Sequence, residues 1–182
     1  MYEIVTLKDR IRVPPHLFKD KLEQSVEGAI KDGYEGIFDK QIGVLLLLTG
    51  VKNIGDGTIL PGDGAVFYDA EFDMLVWRPE LQEIVRGVVS EITEFGAFIR
   101  IGPVEGMVHL SQVMDDYVSY SKSGSLQGRD SNRVIKSGDL VQARVIAISF
   151  KTSETPKIGL TMRQEGLGKP EWWVEKKGGK KE

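Results

Sequence analysis

The side chains that could do chemistry in this sequence lie at alternate positions of short segments in its second half. The segment 96–101 alternates small aliphatic residues with Phe98 and Arg100. If the aliphatic residues fill a core, the side chains between them point outward. The same parity turns two further cations outward, Arg144 and Lys157. In the segment that contains Arg144, the side chains expected to fill the core are Val141, Ala143, Val145 and Ala147. An exposed Phe flanked by cations is typical of a platform for single-stranded nucleic acid, on which bases stack while phosphates contact the cations.

Other interpretations of these residues stay open at this point. The Phe98 ring could instead cap a core or meet another subunit. His109 is a further candidate, because an imidazole can stack on a base or donate to a phosphate and titrates near neutral pH. A single His is more often structural.

The composition argues against an independent enzyme. The 182 residues contain no Cys and two His, which excludes disulfides, thiolate nucleophiles, Cys-based metal sites and multi-His centres. No Walker loop or Gly-x-Ser-x-Gly segment is present, and the Gly-x-Gly at 55–57 lacks the strand-to-helix context of a phosphate loop. Acidic pairs such as Asp115–Asp116 are usually solvated. We therefore expect no catalytic site, no metal and no cofactor in this chain.

The net charge of -3 is unevenly distributed along the chain. Residues 1–80 hold 9 basic and 14 acidic residues, whereas residues 81–182 hold 15 basic and 13 acidic residues. Pro79 separates two strand-like runs and cannot donate to a β-ladder. We predict one domain over 1–80, a second over 81–165 and a tail over 166–182. Different partners for the two domains would explain the charge difference.

No segment predicts a membrane span or a targeting signal. The longest apolar run is Val44–Leu48, far short of the roughly 20 residues of a transmembrane helix. We expect a soluble, cytoplasmic protein with no membrane partner.

The first domain is predicted to be α/β. Residues 1–13 alternate as a strand that stops at Pro14–Pro15. Apolar residues at three- and four-residue spacing then predict an amphipathic helix from about 15 to 32. A strand is expected over 36–49, and two shorter strands, bent at Asp69–Asp73, over 65–76.

Residues 51–64 are dense in turn-forming types, with four Gly, two Asp and one Pro. They predict a long loop between strands. Ile54, Ile59 and Leu60 are nevertheless apolar, which is unusual for a solvated loop. The segment is either an ordinary connection or a protruding tip whose apolar residues dock into a partner.

The second domain is predicted to be a five-stranded Greek-key barrel of the OB type. Its strands are expected at 81–92, 96–101, 105–109, 140–149 and 157–162. The link at 114–134 is long and contains both basic and aromatic residues. These residues either extend a nucleic-acid-binding surface or form a solvated loop. They are Tyr117, Tyr120, Lys122, Arg129 and Arg133.

Three motifs of this domain resemble the S1 RNA-binding domain, a variant of the OB fold. They are Gly87–Ile99, Glu105–Ser111 and Lys136–Val141, and the resemblance covers about residues 82–165. It implies that Phe95, Phe98 and His109 lie on an RNA-binding face.

The sequence departs from that pattern at the fourth and fifth strands. Where the S1 family often has an acidic residue and an arginine, this chain has Ser149 and Lys157, joined by a longer turn at 151–156.

The whole chain resembles a narrower family, the E-prime subunits of archaeal RNA polymerase. Met1–Val5, the Pro14–Pro15 stop and the Gly- and Asp-rich loop all precede an S1 domain, and the resemblance spans about residues 1–170. It implies a truncated RNP-like first domain whose tip loop docks on the polymerase core. The docking residues would be Ile54, Gly55, Asp56, Gly57, Ile59, Leu60, Pro61 and Gly62.

The resemblance also implies partners and a role. The chain would pair with the small F subunit of the RNA polymerase as a heterodimer and form a stalk near the RNA exit path. It would be a non-catalytic subunit that binds nascent single-stranded RNA and supports open-complex formation and processivity. The alternative is an S1-domain adaptor in translation initiation or RNA decay.

The tail after residue 165 contains two adjacent tryptophans. Pro170 is suited to opening a short helix. We expect Trp172 or Trp173 to pack back on the barrel or on a partner, and the final Lys- and Gly-rich residues to be disordered.

Overall fold

The computed structural model describes residues 1–121, 124–149 and 156–175. The chain divides into two compact units, Met1–Arg78 and Pro79–Glu182. The first unit contains β1 (Tyr2–Val13), a 3-10 turn (Pro15–Leu17), α1 (Leu22–Tyr34), β2 (Phe38–Asp39), β3 (Gly43–Ile59) and β4 (Val66–Trp77). No helix among the described residues is long and apolar enough to span a membrane.

The first unit is an antiparallel sheet with one helix packed on it. The strand order is β1-β4-β3-β2. Val26, Ala29 and Ile30 of α1 are buried in the core beside Phe72 and Met74 of β4. The helix is shorter at its start than predicted, because Phe18 and Lys21 have extended backbone conformations and the Ser25 hydroxyl accepts the Lys19 N–H at 2.8 Å.

β3 and β4 pair in a ratio of three residues to two. Four residues of β3 spaced three apart stand opposite four residues of β4 spaced two apart: Leu45–Val76, Leu48–Met74, Val51–Phe72 and Ile54–Ala70. A register shift lies in each interval, so each bulge returns the next apolar residue of β3 to the core side. The core therefore continues along β3 as far as Ile54.

This pairing corrects two expectations for the first unit. Residues 51–59 are strand, so the predicted loop over 51–64 shrinks to the turn between Ile59 and Val66. β4 is one continuous strand with no bend at Asp69–Asp73, because these aspartates have partners in adjacent strands. Asp69 pairs with Arg10 at 2.9 Å, and Asp73 pairs with Lys52 at 2.8 Å.

The second unit contains a closed five-stranded barrel in the order β11-β12-β7-β6-β5. Its strands are β5 (Ile84–Thr93), β6 (Gly96–Arg100), β7 (Glu105–His109), β11 (Leu140–Ser149) and β12 (Lys157–Thr161). β7 and β12 run parallel, and the other neighbours are antiparallel. The predicted fold class is confirmed: an α/β N-terminal domain precedes an OB-type barrel, and the chain is mainly β.

The alternation in β11 holds until Val145 and then breaks. Val141, Ala143 and Val145 are buried as predicted, but a register shift between Val145 and Ala147 leaves Ala147 exposed. Because a bulge reverses the side-chain parity, the expectation that Ala147 fills the barrel was wrong.

The link between β7 and β11 folds into its own small sheet. β8 (Val118–Ser121), β9 (Ser125–Gly128) and β10 (Val134–Lys136) pair in the order β10-β9-β8 around buried Leu126 and Ile135. The link between β7 and β11 therefore has its own secondary structure and is not a simple loop. Lys122, one of the cations of the possible nucleic-acid-binding surface, lies outside the described residues.

The tail packs on the second unit through its tryptophans. α2 (Glu171–Glu175) carries Trp172, which is 7% exposed and lies beneath the Arg133 guanidinium at 5.2 Å from the ring centroid. The Trp173 indole N–H donates to the Leu167 carbonyl at 3.0 Å. Residues 150–155 and the residues after 175, where a longer turn and a disordered end were predicted, lie outside the described residues.

Candidate nucleic-acid interface

The outer face of β6 and its neighbours brings Phe98, Arg100 and Lys157 close together. Phe98 stands between Glu91 of β5 and Met107 of β7, and Met107 is level with Gly159 of β12. Paired residues in a sheet point to the same side, so these four side-chain positions form one row across four strands. Phe98 and Met107 are half-buried, and each therefore presents part of its apolar surface to solvent.

The cations lie in the next row of the same face. Arg100 pairs with Glu105, and Lys157 immediately precedes Ile158, which is level with Gly106. Both cations are exposed. The Arg100 Nε lies 3.8 Å from Glu105 Oε1, which is an ion-pair distance but too long for a hydrogen bond. Glu91 and Glu105 thus balance the two cations, and the face has little net charge.

Phe95 and His109 adjoin this row at the turn between β5 and β6. Phe95 is 63% exposed, and its carbonyl accepts the Leu110 N–H at 2.8 Å. Gly96 pairs with His109 and has φ +149, and a Cβ on Gly96 would overlap the Val108 carbonyl. Only glycine fits there, so β7 approaches the turn closely and His109 lies beside Phe95.

The hydrogen bonds of His109 define its tautomer when the ring is neutral. Nδ1 accepts the Ser111 N–H at 3.3 Å and lies 2.9 Å from the Ser111 hydroxyl oxygen. The proton of the neutral ring is therefore on Nε2, which leaves an N–H donor on the opposite side of the ring. This donor is suited to an acceptor on a base or a phosphate.

Arg144 is not brought to the Phe98 row. Arg144 stands between Ile84 of β5 and Thr161 of β12. Thr161 is buried, and its hydroxyl donates to Gln112 Oε1 at 2.8 Å. The Arg144 Nε is itself buried and has no hydrogen-bond partner in the described part of the chain. Leu160, which precedes Thr161, is level with Val108, so Arg144 lies in the row toward His109, on the side of the Phe98 row away from Arg100 and Lys157.

The residues proposed for docking have different surroundings at the end of the β3–β4 hairpin. Ile59 and Leu60 are 69% and 43% exposed, and Pro61 and Gly62 are exposed beside them. Gly55 and Asp56 are exposed at the last bulge. Ile54, in contrast, is half-buried and packs against the core of the first unit.

Gly57 is exposed, and its position also restricts the size of its side chain. It stands opposite Tyr68, where a Cβ would lie 2.8 Å from the Tyr68 ring and 2.9 Å from Val66. The absence of a side chain at Gly57 therefore lets the Tyr68 ring lie across the strand.

The base of the hairpin turn is fixed by Asp63. The Arg12 guanidinium donates to both carboxylate oxygens at 2.9 and 2.8 Å, and the Ala65 N–H donates at 3.1 Å. These hydrogen bonds lower the pKa of Asp63 below its usual value. Ile59 and Leu60 are thus presented on a turn that is anchored to β1.

Met107 and Gly159 belong to the Phe98 face, although neither was predicted from the sequence. The alternation of β7 carries a signal for Met107, since it places Met107 on the same side as Glu105 and His109. The contact with β12 carries no local signal, because a parallel partner can come from anywhere in the sequence. Among the described residues, no three His, Asp or Glu side chains are placed to hold a metal ion.

Comparisons with known proteins identify the family. Residues 8–64 match the model of the SHS2 domain found in the N terminus of Rpb7p and Rpc25p, and residues 78–154 match the S1 RNA binding domain. The chain is 37% identical to DNA-directed RNA polymerase subunit Rpo7 of Saccharolobus shibatae, over 97% of this chain and 99% of the relative. The chain belongs to the archaeal Rpo7 family of RNA polymerase subunits.

Further relatives of the Rpo7 family agree with this result. DNA-directed RNA polymerase subunit Rpo7 of Sulfolobus acidocaldarius is 38% identical over 94% of both chains. DNA-directed RNA polymerase II subunit RPB7 of Glycine max is 26% identical over 92% of this chain and 96% of the relative. The resemblance that the sequence motifs indicated is confirmed, and the chain is an RNA polymerase subunit with an S1 RNA-binding domain.

Proposed function

We propose that this chain is a non-catalytic stalk subunit of the polymerase that holds nascent single-stranded RNA on its barrel and docks through its hairpin turn. In this proposal it acts in the cytoplasm, pairs with the small F subunit as a heterodimer, and supports open-complex formation and processivity. The observation that carries the RNA-binding role is the Phe98–Met107 row beside Arg100 and Lys157. Family membership favours this role over an adaptor in translation initiation or RNA decay.

The barrel face suits weak binding without sequence preference. A base that stacks on an aromatic side chain contributes roughly 1–3 kcal/mol, whatever its identity. If two cations contact phosphates, the logarithm of the binding constant should fall with the logarithm of the salt concentration with a slope of about −1.4. Each contact to a single strand contributes about −0.7 to this slope. Glu91 and Glu105 limit the attraction further, because they lie on the same face.

The RNA proposal is tested with Phe98→Ala in the full chain. Fluorescence anisotropy with a labelled oligouridylate of about 12 nucleotides should show a dissociation constant raised roughly 5- to 100-fold, the equivalent of about 1–3 kcal/mol of stacking. Phe18→Ala is the matched control, because Phe18 is also an exposed Phe but lies in the first unit. Unchanged RNA affinity for Phe98→Ala would contradict the assignment of this face.

The docking proposal rests on the exposed aliphatic pair at an anchored turn. Ile59 and Leu60 together offer apolar surface that only a partner can bury, and a fully buried Ile or Leu contributes roughly 1.5–3 kcal/mol. Replacing both with Asp should abolish co-purification with the polymerase core. Ile37→Asp, at an equally exposed Ile of the same unit, should not. Normal recovery of the double variant with the core would refute docking through this turn.

The heterodimer is tested separately. Co-expression with the small F subunit should give a stable complex that elutes as one species in size-exclusion chromatography. Two separate species at micromolar concentration would argue against this part of the proposal while leaving the RNA and docking tests intact.

A further inference from the structure

Tyr117 combines an exposed ring with a fixed backbone. Its side chain is 72% exposed, more than any other aromatic side chain of the described residues. Its N–H donates to Asp116 Oδ1 at 2.6 Å, and its carbonyl accepts the Arg129 N–H at 2.9 Å. A ring this exposed gains little from burial within the chain, so packing within the protein does not explain why the backbone at Tyr117 is held in place.

A cleft of about 410 Å³ separates Tyr117 from His109. Leu110 and Ser111 line the base of this cleft, and Arg163 lines it from the end of the barrel. The volume is within the range of roughly 300–1,000 Å³ in which proteins bind small molecules. Because His109 is the last residue of β7 and pairs with Gly96, the cleft begins where the face of Phe95 and Phe98 ends.

The charged groups that line the cleft each have a partner within the protein. The Arg163 Nε and Nη2 both lie 3.0 Å from Asp115 Oδ1. Asp116 accepts the N–H groups of Asp130 and Ser131 at 3.0 and 2.8 Å and the Ser131 hydroxyl at 2.7 Å, which lowers its pKa. With a neutral His109, two carboxylates and one guanidinium leave one net negative charge. The cleft thus disfavours a phosphate and suits an uncharged planar group.

The donors that face the cleft indicate which uncharged group fits. His109 offers the Nε2–H, because its Nδ1 is occupied by Ser111. The guanidinium of Arg163 is 55% exposed and retains N–H groups beyond those directed at Asp115. Both are donors only, so they match acceptor atoms on a base, such as the carbonyl oxygens of uracil.

We propose that the cleft between Tyr117 and His109 is a second base-binding position for the single-stranded RNA that crosses the Phe98 face. A base stacks on the Tyr117 ring, and its carbonyl oxygens accept from His109 and Arg163. This inference rests on the proposed RNA-binding function and assigns the insertion of β8–β10 the role of holding an additional stacking platform.

The test measures oligouridylate and oligoadenylate of about 12 nucleotides, a length within the usual site size of an OB fold, by anisotropy with the full chain. Tyr117→Ala should raise the dissociation constant for oligouridylate about 5- to 50-fold. The increase should be the same at low and high salt, because stacking releases no counterions.

Tyr117→Phe keeps the ring and should bind as the unmodified chain does. Tyr2→Ala is the matched control, because Tyr2 is also an exposed Tyr, at 53%, but lies in the first unit. Tyr117→Ala should weaken the binding of oligoadenylate as well, because stacking does not depend on the identity of the base.

The outcomes separate this inference from the proposed function. If Phe98→Ala loses RNA affinity and Tyr117→Ala does not, the second position is refuted and the first stands. If neither variant changes RNA affinity, both are refuted. If Tyr117→Ala binds RNA normally but loses another polymerase component on co-purification, the cleft is a protein contact and the inference is wrong.

Discussion

Glu105 provides the sharpest test of the electrostatics of the barrel face, because its removal should strengthen RNA binding. Its carboxylate lies 3.8 Å from the Arg100 Nε and beside the row that includes Lys157. A phosphate that approaches Arg100 must therefore compete with this carboxylate. Glu105→Gln keeps the shape of the side chain and removes the charge.

The size of the effect follows from the distance and the exposure of the pair. Two unit charges 3.8 Å apart attract by about 1 kcal/mol in water, and exposed ion pairs contribute about 0.2–1 kcal/mol in practice. Releasing Arg100 from Glu105 should therefore lower the dissociation constant for RNA about 1.4- to fivefold at low salt. The salt dependence should steepen by up to about 0.7 in slope, the contribution of one additional phosphate contact.

Anisotropy with oligouridylate between about 50 and 200 mM salt measures both quantities. Glu3→Gln makes the same change in net charge in β1 of the first unit and should alter neither the affinity nor the slope. An equal gain for both variants would mean that only the total charge matters. No gain for Glu105→Gln would mean that Arg100 does not contact phosphate. Either result refutes the reasoning.

Three further predictions concern the scaffold. Gly57→Val should destabilise the first unit by about 1–3 kcal/mol in urea unfolding, because its Cβ would lie 2.8 Å from the Tyr68 ring. Gly50→Ala is the control and should not destabilise it, because nothing lies within 4 Å of the new Cβ. The lowered pKa of Asp116 means that its contribution to stability is complete above the unfolded-state pKa of about 3.9 and is lost as the pH falls through its lower folded-state pKa. The protection factors for amide exchange at Asp130 and Ser131 should fall over that acidic range, and in Asp116→Asn they should be lower than in the unmodified chain at neutral pH. Trp172→Ala should lower the stability of the second unit by about 3–5 kcal/mol in thermal unfolding, because the ring is 7% exposed and packed beneath Arg133. Phe95→Ala removes an exposed ring of the same unit and should change the stability little.

The sequence predicted the barrel well because its strands alternate regularly. The expected bounds of β7 and β11 agree with the structure, and those of β6 and β12 differ by one residue. Alternation also identified Phe98 and Arg100 as outward-facing. It failed at Ala147, because one extra residue in β11 reverses the parity and no local residue type announces it.

The hairpin of the first unit shows the opposite case. Gly55, Asp56 and Gly57 are turn-forming types, so local chemistry predicted a loop. The apolar residues Leu45, Leu48, Val51 and Ile54 recur every three positions, a period that fits neither a regular strand nor a helix. Only pairing with the regular β4 accommodates that period, since β4 provides two residues for every three of β3.

The sequence by itself determined the fold class, the five barrel strands and the family of polymerase subunits to which the chain belongs, because these depend on periodicity and on motifs that are local in the chain. The tertiary structure decided which outward side chains share a face. Lys157 joins Arg100 because β12 pairs in parallel with β7, and Arg144 does not because it pairs with Thr161, four residues along β12 from Lys157. Strand parity gives the direction of a side chain, but its neighbours come from strand order and register, which distant parts of the chain establish together.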